Sequence, residues 1–171
     1  MKFFKVLSVV LLVCIVLFFV IGLFLPKTGT YENTYKIDAP ANVVEAEILE
    51  LYANHLWPIW STEDTSVTFI NEAGELGYTW EGDLVGKGAC KVSLGNDLSI
   101  RDYISFQNRD MAETVWQLTP GNETTINFTF KVFAGSNIGA RWTNVFMNRI
   151  MGDEINTVIS EMKLSLENRD L

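Results

Sequence analysis

Asp102 lies two residues from Ile100 and two from Ile104, so strand alternation places a carboxylate on an apolar face. A carboxylate there would have a raised pKa or need a partner. It could serve as a general acid or base, or as a polar contact for a ligand head group. A β-bulge would turn it outward, and the sequence leaves both readings open. Glu81 and Asp83 flank a Gly-rich corner (Gly82, Gly86, Gly88) and read as solvated. His55 is the only histidine and follows a helix end, without an evident acidic orienter. No Ser stands in a Gly-x-Ser-x-Gly elbow, so nucleophilic catalysis finds no support. Cys90 and His55 cannot make a structural zinc set, and Cys14 and Cys90 cannot form a disulfide within one soluble domain. The corner glycines lack the strand-to-helix context and the Lys-Ser/Thr of a phosphate loop. No metal and no cofactor is expected.

The elements that would hold Asp102 can be read from periodicity. Tyr31, Tyr35 and Ile37 alternate with polar residues as a first strand, after a short linker at 26–30. Asp38-Ala39-Pro40 then opens a helix whose face is Val44, Ile48, Leu51 and Tyr52, ending near Asn54. A Trp-rich turn follows, Trp57-Pro58-Ile59-Trp60-Ser61. From Ser66 to Phe133 six strands are predicted, separated by turns at Glu72-Ala73-Gly74, at the Gly-rich corner, at Gly95-Asn96-Asp97, at Asn108-Arg109-Asp110 and at Pro120-Gly121-Asn122. Short turns imply an antiparallel meander. Residues 138–168 read as one long helix with the stripe Ile155, Ile159, Met162 and Leu166, and Gly152 as a kink.

Ahead of all this, the twenty residues from Val6 to Leu25 contain no charge, no Pro and one hydroxyl. At about 1.5 Å per residue they match the roughly 30 Å hydrocarbon layer of a bilayer. The run exceeds the apolar stretch of a cleaved secretory signal and offers no small-x-small site. Residues 1–27 are therefore read as a transmembrane anchor and 28–171 as one soluble domain. Lys2 and Lys5 before the run outweigh Lys27 after it, which favours a cytoplasmic N-terminus. Of 13 basic side chains these three flank the run, leaving ten against 21 acidic ones beyond it. That balance argues against nucleic acid as a partner and against a domain lying flat on anionic lipid.

Four ordered segments resemble the helix-grip superfamily that includes START domains, Bet v 1 and the polyketide cyclase/dehydrase group (the SRPBCC superfamily), and especially its membrane-tethered bacterial branch. They are Ile37-Asp38-Ala39-Pro40, Trp57 to Ser61, Tyr78-Thr79-Trp80-Glu81-Gly82 with Gly86 and Gly88, and Phe146-Met147 through Ile150-Met151-Gly152. One departure is the region of Thr62 and Asp64-Thr65, where relatives often carry prolines. The resemblance implies an α+β fold, a curved antiparallel sheet of about seven strands around a long C-terminal helix. It also implies a bacterial plasma membrane location, in which the charge bias about the apolar run would put the domain outside.

Inward parity predicts a ligand-binding space lined by Phe69, Tyr78, Trp80, Cys90, Val92, Ile100, Asp102, Ile104, Trp116, Phe128 and Phe130. Met147, Met151, Ile155 and Ile159 face it from the helix. Aromatic area and adaptable Met suit a lipophilic small molecule, lipid- or isoprenoid-like. The leading expectation is thus a non-catalytic binding module held beside the membrane. The alternatives are a cyclase- or dehydratase-type enzyme, with Asp102 the candidate catalytic residue beside Tyr78 or Cys90, and a tethered scaffold without ligand. The sequence names no protein partner.

Overall fold

The computed structural model describes residues 2–57, 64–71, 76–107 and 109–167. The turn segments Pro58 to Ser61 and Glu72-Ala73-Gly74, together with Thr62 and Asn108, lie outside the described residues.

Seven strands form one antiparallel sheet: β1 (Thr28–Ile37), β2 (Thr68–Asn71), β3 (Gly77–Gly82), β4 (Gly86–Leu94), β5 (Ser99–Phe106), β6 (Arg109–Thr119) and β7 (Thr124–Phe133). Their spatial order is β1-β7-β6-β5-β4-β3-β2. The first strand therefore joins the far end of a meander, pairing Tyr31 with Phe130 and Tyr35 with Ile126. Helix α1 (Lys2–Phe24) precedes the sheet, α2 (Ala41–Ala53) follows β1, and α3 (Ile138–Val145) and α4 (Met147–Glu167) close the chain. This is the expected α+β architecture.

Helix α2 begins after Pro40, whose fixed φ and missing N–H suit a helix start. It buries Val44, Ile48 and Tyr52 against the sheet. His55, at φ 57°, leaves the helical region and stops it. On the same face α4 buries Met147, Met151, Ile155, Ile159, Met162 and Leu166. Tyr35 ties β1 to α4, its hydroxyl donating to Asn156 Oδ1 at 2.9 Å. Ser165 ties α4 to α2, its hydroxyl donating to Glu47 Oε1 at 3.2 Å.

Two expectations are corrected. The stretch 26–30 is not a linker throughout, because Thr28 already pairs with Phe133 and Lys27 O accepts from Ala134 N at 2.8 Å. The C-terminal helix breaks at Phe146, not at Gly152. A tight turn there (φ −102°, ψ 9°) directs Phe146 N to Thr143 O. Gly152 lies inside the continuous helix α4, where an added Cβ would meet the Tyr31 ring at 3.5 Å.

The Gly-rich corner has a packing role. Gly88 stands between Trp80 on β3 and Phe106 on β5. Those two rings meet edge-on at 5.3 Å, and a Cβ on Gly88 would lie 2.1 Å from the Trp80 indole. The Asp64 carboxylate fixes the β3–β4 turn, accepting from Ser66 N and Oγ and from Leu84 N and Val85 N. These bonds hold its pKa down to about 2. Its folded pKa is below the unfolded one, so its contribution is present above the ordinary carboxylate range and lost as pH falls toward 2.

Gly88→Ala should destabilise the domain by about 1–3 kcal/mol, because a buried indole has nowhere to move. Thermal unfolding of the detergent-solubilised protein measures it; an unchanged Tm would refute the close approach.

Candidate functional site

Asp102 points inward and is fully buried. The β5–β6 register does contain a bulge, but between Ile104 and Ser105, after the carboxylate has been placed. Of the two readings left open by the sequence, the inward one holds.

Two side chains donate to this carboxylate and a third acts through one of them. Tyr52, from α2, donates its hydroxyl to Asp102 Oδ2. Trp57 donates its indole N–H to the same oxygen at 3.0 Å. Trp116, from β6, donates to the Tyr52 oxygen at 2.9 Å, so one phenol both receives and gives. Thr114 is the cross-strand neighbour of Asp102, near enough for its hydroxyl to favour the carboxylate. Even so, neither Asp102 Oδ1 nor Thr114 Oγ1 completes an ordinary hydrogen bond, and Trp80 Nε1 is also buried without a partner. No cation pairs with Asp102 among the described residues.

The electrostatics follow. Burial raises the Asp102 pKa to about 6, against the lowering effect of the bonds from Tyr52 and Trp57 and of the nearby Thr114. Burial and the Asp102 charge push the Tyr52 hydroxyl well above its ordinary value. The same causes push the Cys90 thiol up, so it stays protonated and is a poor nucleophile. Tyr78 donates its hydroxyl to Trp57 O, which further fixes the tryptophan.

Trp57 fills the middle of the cup. It is fully buried, edge-on to Trp116 (5.6 Å), Phe128 (5.9 Å) and Phe130 (6.1 Å). The inward residues read from parity are where parity places them. Tyr78, Trp80, Cys90, Ile100, Ile104, Trp116, Phe128 and Phe130 are all nearly inaccessible, packed in one core with Met147, Met151, Ile155 and Ile159. Val92, opposite Asp102, and Phe69 are half-buried at the edge of that core. Phe69 stacks on His55 at 4.3 Å, and His55 Nε2 lies 2.8 Å from Asn71 Oδ1, so this histidine works as a structural clasp. Glu81 and Asp83 are exposed, and Glu81 pairs with Lys87 at 2.8 Å.

Among the described residues, open space is found elsewhere. A cleft of about 500 Å³ runs between α2 and α4, with Leu51, Leu56, Val158 and Met162 as its apolar wall and Glu47, Glu154 and Glu161 beside them. A second pocket of about 180 Å³ is lined by Leu49, Tyr52, Ala53, Leu76 and Val92, and reaches the Asp102 network only through Tyr52. The sequence reading missed Trp57 as a core residue and missed the α2–α4 cleft. Leu51, read as part of the α2 face but lining the cleft, and the apolar Leu56 after the helix were the available signal. Among the described residues no three His, Cys, Asp or Glu side chains gather as a metal set.

No family model and no curated protein matches the chain by sequence. Solved structures do. The chain is similar to a START superfamily protein from Mycobacterium smegmatis, at 11% identity and TM-score 0.54 over 81% of this chain and 97% of that one. Norcoclaurine synthase from Thalictrum flavum, in complex with dopamine and hydroxybenzaldehyde, is similar at 11% identity and TM-score 0.56, over 84% and 90%. A Streptomyces aromatase/cyclase is similar at 16% identity and TM-score 0.52, over 79% and 93%. These likenesses establish a START-like helix-grip fold.

Asp102→Asn should raise stability at neutral pH and lose that advantage in acid. The folded pKa of Asp102 is above the unfolded one, so its ionisation opposes folding above about pH 6 and has no effect below about pH 4. The shift amounts to about 3 kcal/mol at most. The difference in Tm between variant and wild type at pH 8 and at pH 4 is the measurement. A variant less stable at pH 8 than at pH 4, relative to wild type, would contradict it.

Proposed function

We propose that the protein is a membrane-anchored module that binds a lipophilic small molecule, lipid- or isoprenoid-like. The observation that carries this reading is the α2–α4 cleft, whose volume of about 500 Å³ and apolar wall suit such a ligand. Its neighbouring carboxylates disfavour an anionic head group and suit a neutral or cationic one. The inward set Phe69, Tyr78, Trp80, Cys90, Ile100, Asp102, Trp116, Phe128, Phe130, Met147, Met151 and Ile155, in the core or at its edge, is the second layer of this proposed site. Helix α1 is long and apolar enough to cross a membrane. In this reading it does so once, in a bacterial plasma membrane, with residues 28–171 on the outer side. A tether there raises the effective concentration of the cleft at the phase where apolar ligands dissolve.

A second reading, a cyclase- or dehydratase-type enzyme, draws on the pocket beside Tyr52. A substrate there would meet the Asp102 carboxyl through the phenol, a geometry fit for proton transfer. The sealed carboxylate and the protonated Cys90 favour binding over catalysis.

Native mass spectrometry of the full chain in lipid nanodiscs should find a retained small molecule. Val158→Trp, which fills the cleft from a half-buried position, should lower its occupancy about tenfold or more, equivalent to about 1.4 kcal/mol. Unchanged occupancy in that variant would move the site away from the cleft; an empty wild-type protein would favour the scaffold alternative.

A further inference from the structure

The anchor is fastened to the domain side of the chain by α3. Arg141 donates Nη1 to Leu23 O at 3.0 Å and to Gly22 O at 3.5 Å, capping the last carbonyls of α1. Its Nε and Nη2 both reach Gly135 O, at 3.0 and 2.8 Å, so the cap is held from behind. Asn144 donates to Pro26 O at 3.3 Å and packs against Gly29. Trp142 stacks on Phe18 at 5.3 Å and donates its indole N–H to Phe18 O at 3.3 Å. Gly22 is required at this crossing: a Cβ there would lie 2.3 Å from Ile138 Cγ2.

This docking sets a depth. Phe18 precedes Phe24, the end of α1, by six residues, about 9 Å along the axis. A ring stacked on Phe18 is then level with lipid, not water, wherever α1 spans. Around it the surface is apolar. Ile138, Trp142 and Val145 share one stripe of α3 at i, i+4 and i+7. Val145, Phe146 and Ile150 are 50%, 55% and 45% exposed. Composition agrees: from Ala134 to Gly152 there is no Asp or Glu, although the chain has 21, and the only charges are Arg141 and Arg149.

Resting on the reading of α1 as a spanning helix, we infer that α3 and the first turn of α4 form a platform seated in the outer leaflet of a phospholipid bilayer. Trp142, Val145, Phe146 and Ile150 enter the interfacial layer, as aromatic and apolar residues do beside a span, and Arg149 meets the phosphates. The anchor is then a strut, not a loose tether. It fixes which way the sheet and the α2–α4 cleft face relative to the lipid.

The test uses the full chain in phosphatidylcholine nanodiscs with Cys14→Ser and Cys90→Ala as background. A nitrobenzoxadiazole probe is placed singly by Leu12→Cys, Phe146→Cys, Ile150→Cys or Leu84→Cys. Leu84, 84% exposed on the β3–β4 turn, is the aqueous reference. The expected result is blue-shifted emission and quenching by spin-labelled lipid at positions 12, 146 and 150, and neither at 84. Lipid-like behaviour at 12 with water-like emission at 146 and 150 would overturn the platform and leave the anchor standing. Water-like emission at 12 would overturn the anchor and the platform together.

Discussion

A single carboxylate organises the interior. Asp102 Oδ2 receives a phenol from α2 and an indole from the segment after it, while Trp116 on β6 completes the chain through Tyr52. An isolated ionised carboxylate is costly in such a place, and its donors offset only part of that cost. What the arrangement gives in return is position. The bonds fix the rotation of α2 about its axis and lock Trp57 over the sheet centre. With Trp57 in place the aromatic rings of β6 and β7 have an edge-on partner, and among the described residues the chain itself packs the cup. Buried polar groups that fix geometry at a cost in stability are a known use of such networks.

This explains where a ligand finds room. Tyr52 and Trp57 draw α2 down onto the sheet, while α4 follows its own stripe from Met147 to Leu166. Two helices pulled to different parts of one sheet do not pack along their whole length. The space between them is the α2–α4 cleft, bridged by the Ser165–Glu47 hydrogen bond. In the proposed function this leftover space takes the ligand.

The fold was largely legible because its signals are local. Alternation in β7, the Ala39-Pro40 helix start and the turn residues each specify a short stretch, and a meander only has to join them in order. Asp102 was legible as an anomaly of parity, but not its partners. Tyr52 and Trp57 lie 50 and 45 residues away, and nothing in their own neighbourhoods points to a carboxylate. Trp57 read as part of a turn because its role is set by a hole in the sheet, which is a tertiary fact. The Phe146 break was missed for a related reason. Gly152 has the residue type of a kink and Phe146 does not, yet the docking of α3 on α1 requires the chain to turn just after Asn144.

The acidic balance takes on a different meaning once residues are placed. A domain with ten basic and 21 acidic side chains reads as one repelled by anionic lipid, and averaged over its surface it is. The average conceals a division. The carboxylates avoid the whole stretch from Ala134 to Gly152, which contains the helix α3 that docks on α1, and reappear at Asp153, Glu154 and Glu161 as α4 leads away toward the cleft. Such a division has a simple electrostatic consequence beside a bilayer. The surface around Arg149 is free to approach lipid phosphates, the buried Arg141 being engaged by backbone carbonyls, while the acidic remainder is pushed away from them, so repulsion and insertion favour the same orientation. Net charge alone would have predicted that the domain floats clear of the membrane. Its distribution instead favours one face resting there and the other held toward water.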